Sequence, residues 1–340
     1  MSDNHTTSAA VRHAYTAEYY LEDCGGYETY QAHGGKRLDP RLDCMARLAG
    51  YHGGRGSLRL LDLGCGRGEI ARHFAGLGYR VDAIDYSPDA LRLADACFAG
   101  EPRLRRRVKL RCASVTDPRA YRGRYDIVLA SDLIEHLAPT EVAHIYALIR
   151  RHLKRDGIFI AHTFPNLWYY RYGYPRRRRC AAHQGEDLPA EPRSPYERQM
   201  HINEQSPRIM LGQLRAAFEE VLLWAGDHQE PAGSLERPFG KNDWRDAPSL
   251  FAIAARQAID PRRVVAVLQE PTATLEPHAV AANPLDATTA PAPTSAQRLV
   301  RRLRRLPFLR PLLDGLYAFI RLTSLHQEVQ SLRAALENQR

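Results

Sequence analysis

The chain has 340 residues, 44% of them hydrophobic and 26% charged. That composition can bury a real core and excludes a wholly disordered polymer, and the length fits two compact units or one α/β domain with an extension. The formal net charge of +9 is uneven: residues 296–340 carry nine arginines against Asp314, Glu328 and Glu337. The excess therefore belongs mainly to the tail, and a nucleic-acid-binding body is not expected. No run approaches the roughly 18 apolar residues of a spanning helix. The N-terminal stretch MSDNHTTSAAVRH has no signal-peptide core, so a cytoplasmic protein is expected. Six cysteines without a CxxC pair suggest neither a zinc knuckle nor a disulfide framework.

Residues 58–256 alternate strand and helix patterns, which predicts an α/β fold with a doubly wound, mostly parallel seven-stranded sheet. The predicted strands are Leu58–Leu63, Arg80–Ile84, Val108–Cys112, Tyr125–Ala130, Gly157–His162, Val221–Ala225 and Ser249–Ala255. Helical patterns between them include Glu69–Leu77, Pro88–Ala99 and Pro139–Leu153. Residues 226–248, rich in Gly, Pro and Asp, suit a loop rather than a crossover helix, so an antiparallel edge strand is expected. Residues 164–205 lack a period and hold five of the seventeen tyrosines plus the run Arg176–Arg179, an insertion over the end of a strand. Residues 257–297 are expected to be a flexible linker, most biased from Pro271 on. Residues 298–340 then read as basic amphipathic helices followed by a short coiled-coil seam of Leu322, Leu325, Val329, Leu332 and Leu336.

The sharpest signal lies at Leu60–Glu69, where an apolar strand runs through Asp62 into Gly64-Cys65-Gly66-Arg67-Gly68 and a helix. Glycines let the backbone turn sharply and let a ligand approach without a Cβ in the way. The next predicted strand ends in Asp85, placed to take both hydroxyls of a ribose.

The spacing is G-x-G-x-G, and in this it resembles the class I S-adenosylmethionine-dependent methyltransferases. Tyr125–Leu137 (YDIVLASDLIEHL) is similar to the family's fourth-strand motif, Leu153–Gly157 (LKRDG) to its turn before the fifth strand, and Ser249–Arg256 to its closing strand. The resemblance implies S-adenosylmethionine as cofactor. By it Gly64, Gly66 and Gly68 line the methionine and ribose, with Cys65 as a small residue against the backbone. Asp62 orders the loop or holds the amino group, Asp85 binds the ribose, and Tyr86 flanks the adenine. Ser131 and Asp132 close the other side. Many relatives carry an acid near position 113, whereas this chain has Ala113-Ser114, so Ser114 is the candidate for the adenine amine.

Methyl transfer to an alcohol needs in-line positioning and a base, a task that suits imidazole. His136 and His201 are the catalytic candidates, with His162 behind them. Asp132, Glu135 and His136 have the chemistry of divalent-ion ligands, but a solvated helix start explains them better, and no metal is expected.

The N-terminal residues 1–57, with Tyr15–Glu28, Gly34-Gly35 and Pro40–Leu42, resemble the helical lid of methyltransferases from bacterial cell-envelope polysaccharide gene clusters. So do HTFPN (His162–Asn166) and HINEQSP (His201–Pro207). This implies a sugar or lipid-linked glycan as acceptor, with a small phenolic or quinone precursor as the alternative and an idle cofactor-binding scaffold as a third reading. Tyrosine faces stack on sugars and arginine forks hold phosphates, so Arg176–Arg179 is a candidate diphosphate contact. The seven arginines of residues 298–321 beside apolar faces suit an anionic membrane surface at the inner face of the membrane. Residues 322–336 suit a homo-oligomer.

Overall fold

In the computed structural model, which describes residues 8–54, 57–236 and 243–272, the strands form one seven-stranded sheet of order β3-β2-β1-β4-β5-β7-β6. They are β1 (Arg59–Leu63), β2 (Arg80–Asp85), β3 (Val108–Cys112), β4 (Tyr125–Ser131), β5 (Leu153–Thr163), β6 (Glu220–Gly226) and β7 (Ser249–Ala255). Successive side chains of a strand point to opposite faces. Leu60, Ile127, Ile160 and Ile253 fill one side of the sheet, while Leu61, Val128, Phe159 and Ala252 fill the other. Both faces are covered, which is why the central strands read as near-continuous apolar runs.

Helices α1 (Ala17–Glu22), α2 (Tyr27–His33) and α3 (Pro40–Ala49) precede the sheet. Helix α4 (Glu69–Gly76) follows β1, α5 (Pro88–Ala96) follows β2, and α6 (Pro139–His152) lies between β4 and β5. The insertion supplies α7 (Tyr174–His183) and α8 (Pro195–Met200), and α9 (Pro207–Ala217) leads into β6. Several starts share one device, a Ser or Asp side chain accepting a first-turn N–H just before a proline: Asp39 for α3, Ser87 for α5, Ser194 for α8 and Ser206 for α9. The proline has no N–H to lose and its fixed φ suits a first turn.

Strand β1 pairs in parallel with β2 on one flank, Leu63 beside Ile84, and with β4 on the other, Leu63 beside Ala130. The chain leaves β1 towards β2 and β3 and returns on the opposite flank. Such a reversal opens a crevice beyond the carboxyl ends of β1 and β4, where open α/β sheets bind ligands.

Three expectations are corrected. The antiparallel strand is not at the edge: β7 lies between β5 and β6 and is antiparallel to both. All seven residues of β7 are buried, whereas β6 starts with exposed Glu220, so the more apolar strand takes the interior. Trp224 stacks on Phe251 across that pair, centroids 5.6 Å apart.

Leu153–Gly157 is not a turn ahead of β5 but its irregular beginning, with Leu153 opposite Tyr125 and Ile158 opposite Ile127. A Cβ on Gly157 would come within 2.8 Å of the Tyr125 carbonyl, so the glycine is what lets the strands close up again.

Residues 261–269 of the linker expected from residue 257 are instead a helix, α10 (Pro261–Gln269), capped by Asp260. Val264 and Leu268, one turn apart, are buried in the same core as α3. Residues 273–297 of that linker, the basic helices expected at 298–321 and the seam at 322–336 lie outside the described residues. Among the described residues no helix is long and apolar enough to cross a membrane.

Candidate active site

At the crevice a cavity of about 670 Å³ collects residues from both halves of the chain. One wall is the loop after β1. Gly64, Gly66 and Gly68 all have positive φ (71°, 48° and 83°), conformations that side chains with a Cβ disfavour. At Gly68 a Cβ would also lie 2.7 Å from that of Ala94, so this glycine is needed twice over. The Gly64 and Cys65 N–H groups donate to the Ile84 carbonyl at 2.9 and 3.0 Å, which ties the loop to the end of β2.

Asp85, at that end, accepts from the N–H of Gly66 at 3.0 Å and of Ser87 at 2.9 Å. The Tyr86 N–H bonds it as well, and three donors still leave the carboxylate room to accept a further one. Burial raises its carboxyl above the usual range, opposed by these N–H bonds. Asp62 is 3% exposed, and its Oδ2 has no hydrogen-bond partner. Burial first, then the neighbouring Asp85 and Glu69, pushes its carboxyl up to about 7. A buried carboxylate with an unpaired oxygen is costly unless a cation comes to it. Burial also pushes the Cys65 thiol well up, as expected of a packing residue and not of a nucleophile.

The remaining candidates also line the cavity. Tyr86 stands edge-on to Tyr15 of the N-terminal segment, 5.2 Å between centroids. Ser114 pairs with the Thr116 hydroxyl at 2.7 Å, and the Ser131 hydroxyl is buried without a partner. Asp132 takes a left-handed conformation, φ 48°, ion-paired with Arg41 of α3 and with Oδ1 2.6 Å from His162 Nδ1. Burial, reinforced by Arg41, pushes His162 down to about 3, so it is a neutral, enclosed imidazole.

Two catalytic candidates 65 positions apart in the chain are brought together. The rings of His136 and His201 meet edge-on with centroids 4.8 Å apart. His136 Nδ1 lies 3.2 Å from the Met200 carbonyl, which can only accept, so its proton sits there and Nε2 carries the lone pair. Burial, and secondly His201, pushes His136 down to about 3. His201 Nδ1 is 3.8 Å from Glu204 Oε1, and Glu204 is held through both oxygens by Arg193 at 2.7 Å.

Glu135, His136 and His201 bring one potential ligand atom each within 4.8 Å of one another, so they could hold a divalent cation. Asp132 does not join them, its carboxylate being ion-paired with Arg41. The Glu135 carboxylate already accepts from the Thr163 hydroxyl at 2.8 Å and more weakly from the Phe164 N–H.

Arg67, the residue between the second and third glycines, has a role that its local sequence does not announce. It is 3% exposed, and its guanidinium donates to the carbonyls of Tyr20 (2.7 Å), Cys24 (3.0 Å) and Gly25 (2.7 Å) and to Glu69 (3.0 Å). The cofactor loop thus grips the N-terminal helices directly. The only hint in the sequence was an arginine where a glycine-rich loop needs no charge.

A strand-switch crevice with a glycine loop, an acid at the end of β1 and another at the end of β2 defines the class of the domain. Residues 60–157 match the family model of a methyltransferase domain, and this part of the chain is an S-adenosylmethionine-dependent methyltransferase domain. A ubiquinone biosynthesis O-methyltransferase of Nitrobacter winogradskyi is 35% identical over 127 residues, 37% of this chain and 42% of that protein. The same enzyme of Rhodopseudomonas palustris is 35% identical over 113 residues, covering 33% of this chain and 42% of its own. The chain thus spans less than half the length of these curated relatives. A TehB-like S-adenosylmethionine-dependent methyltransferase of Corynebacterium glutamicum superimposes over 71% of this chain and 98% of its own, with 15% identity and a TM-score of 0.46.

The residues present fit that cofactor on their own chemistry. The unpaired Asp62 oxygen suits its ammonium, the free lone pairs of Asp85 suit its ribose hydroxyls, and the glycine turn leaves room for its backbone contacts.

Proposed function

We propose that the chain is an S-adenosylmethionine-dependent O-methyltransferase acting on a glycan or glycolipid intermediate of bacterial envelope polysaccharide synthesis. The observation that carries the O-methyl reading is the imidazole pair His136–His201, which lines the same cavity as the glycine loop. When bound, the cofactor supplies an electrophilic methyl group, so the chain has to orient an acceptor hydroxyl and remove one proton. His201 is the better base. His136 is too weakly basic at about 3 to keep a proton taken from an alcohol. His201 lines the cavity with its Nδ1 3.8 Å from Glu204 Oε1, a contact that orients the ring. His136 then packs against it and fixes the ring.

The acceptor class rests on the other wall. Tyr169, Tyr170, Tyr174 and Tyr196 come from the 164–205 insertion, together with Arg177. Aromatic faces beside polar groups suit a sugar better than a flat apolar ring, which asks for an apolar slot. A second reading, a phenolic or quinone precursor, is favoured by the names of the curated relatives. The two separate in one experiment. The purified full chain, methyl-labelled S-adenosylmethionine and an envelope extract should place label in the saccharide-containing fraction. His201→Ala should lower that transfer about 10²–10⁴-fold with cofactor affinity kept within a few-fold. Label in the quinone fraction would move the assignment to the second reading, and label in neither would remove both.

A further inference from the structure

We infer that the acceptor end of the cavity is a phosphate subsite centred on Arg177, an inference that rests on the methyltransferase reading above. Among the described residues three arginines line the cavity: Arg41, Arg67 and Arg177. Arg41 is ion-paired with Asp39 and Asp132, and Arg67 with Glu69. Arg177 alone of the three has no carboxylate of the described residues within ion-pair distance. Its anchor is neutral: Nη1 donates to the hydroxyl of the buried Tyr169 at 3.2 Å. That bond aims the guanidinium without cancelling its charge.

Of the run Arg176–Arg179, Arg177 is the member that lines the cavity. Arg176 turns to Asp246, and Arg178 donates to the Leu188 carbonyl at 3.1 Å, so the run Arg176–Arg179 is not one patch. Arg193, 4.4 Å from the centre of the Tyr170 ring, is taken by Glu204 and Glu191. The cavity's acidic neighbour at this end, Glu197, caps α8 by accepting from the Ser194 N–H. Glu186 acts on Arg177 only from a distance. Arg177 is exposed at the mouth of a cavity rimmed by tyrosines, and an unneutralised guanidinium there is suited to a phosphate, which offers paired oxygens to the arginine fork. The imidazole pair takes the hydroxyl end of the acceptor, and Arg177 takes its phosphate end. The same chemistry could arrive as a nucleotide-activated sugar or as a lipid-linked diphosphate.

The test is calorimetric titration of the full chain loaded with S-adenosylhomocysteine, using inorganic pyrophosphate, UDP-glucose and farnesyl diphosphate as probes. Pyrophosphate should bind saturably, at least about tenfold more weakly in Arg177→Gln and within about twofold of wild type in Arg178→Gln. Tighter binding of UDP-glucose or of farnesyl diphosphate, again dependent on Arg177, tells which carrier brings the phosphate. No saturable pyrophosphate binding, or an equal loss in both variants, overturns the subsite. S-adenosylhomocysteine binding should be unchanged in both variants, which shows that they are folded. If wild type itself fails to bind it, the methyltransferase reading falls instead.

Discussion

Asp62 sets a pH dependence that follows from its position alone. In the free protein its carboxyl is pushed up to about 7 by burial and by the acids around it. An ammonium is held by the ionised form, so binding the cofactor has to release a proton wherever Asp62 is protonated. Affinity should therefore fall as pH drops below about 7, by up to about tenfold per pH unit for a single proton. Asp62→Asn should flatten that slope, and titrations between pH 5.5 and 8 check both statements. A flat wild-type profile would mean that Asp62 does not carry the cation. The same group acts on stability with the opposite preference. Its folded pKa exceeds the unfolded one, so its contribution is fully present below the unfolded value and is lost as pH rises through about 7.

Arg67 joins two elements that the chain order separates. One side chain satisfies three carbonyls at the end of α1 and just beyond it, while its own carbonyl lies 2.9 Å from the Cys97 thiol sulfur. Arg67→Met keeps the stem but leaves those carbonyls and Glu69 without the donor. Removing one partner of a buried ion pair typically costs about 3–5 kcal/mol, because the remaining charge is stranded. Here the cost should appear as release of residues 17–35 from the sheet. We expect faster amide exchange at Asp23 and Cys24 and earlier proteolysis there, with weaker cofactor binding, while the amides of β1, β4 and β5 stay protected. Unchanged exchange at Asp23 and Cys24 would show that Ser87 and Asp89, which bond the Tyr15 carbonyl and the Ala17 N–H, hold the N-terminal segment without Arg67.

For the whole molecule we propose that the basic tail brings the catalytic domain to an anionic membrane surface. The seven arginines of residues 298–321, with Asp314 as the only acid, sit beside Leu299, Leu303, Leu306, Leu316, Phe319 and Ile320. A basic residue near such a surface is worth about 1 kcal/mol before salt and geometry reduce it. A tether of Pro, Ala and Thr would raise the local concentration of a lipid-linked acceptor. The full chain should co-sediment with anionic vesicles at low salt, less at high salt, and little with neutral ones, while a 1–295 truncation should stay in solution. Should the full chain ignore anionic vesicles, residues 298–336 serve protein contacts instead.

Most of the elements, and the glycine turn with an acid on either side of it, are legible in local sequence pattern. Strand runs, Ser-Pro and Asp-Pro helix starts and the Asp62–Gly68 turn followed by Asp85 are local patterns, and local backbone sterics and hydrogen bonding decide them. Whatever depends on which surfaces meet is set by packing between distant segments. The placement of β7 inside the sheet turns on its burial from both flanks, and α10 exists because Val264 and Leu268 find the core beside α3. Arg67 as a clamp and Arg41 beside Asp132 are facts about partners distant in sequence. Nothing in the residues near His136 says that His201 will lie against it. Only the folding of the insertion back over the end of β4 does that, because side-chain chemistry is written locally and proximity is not.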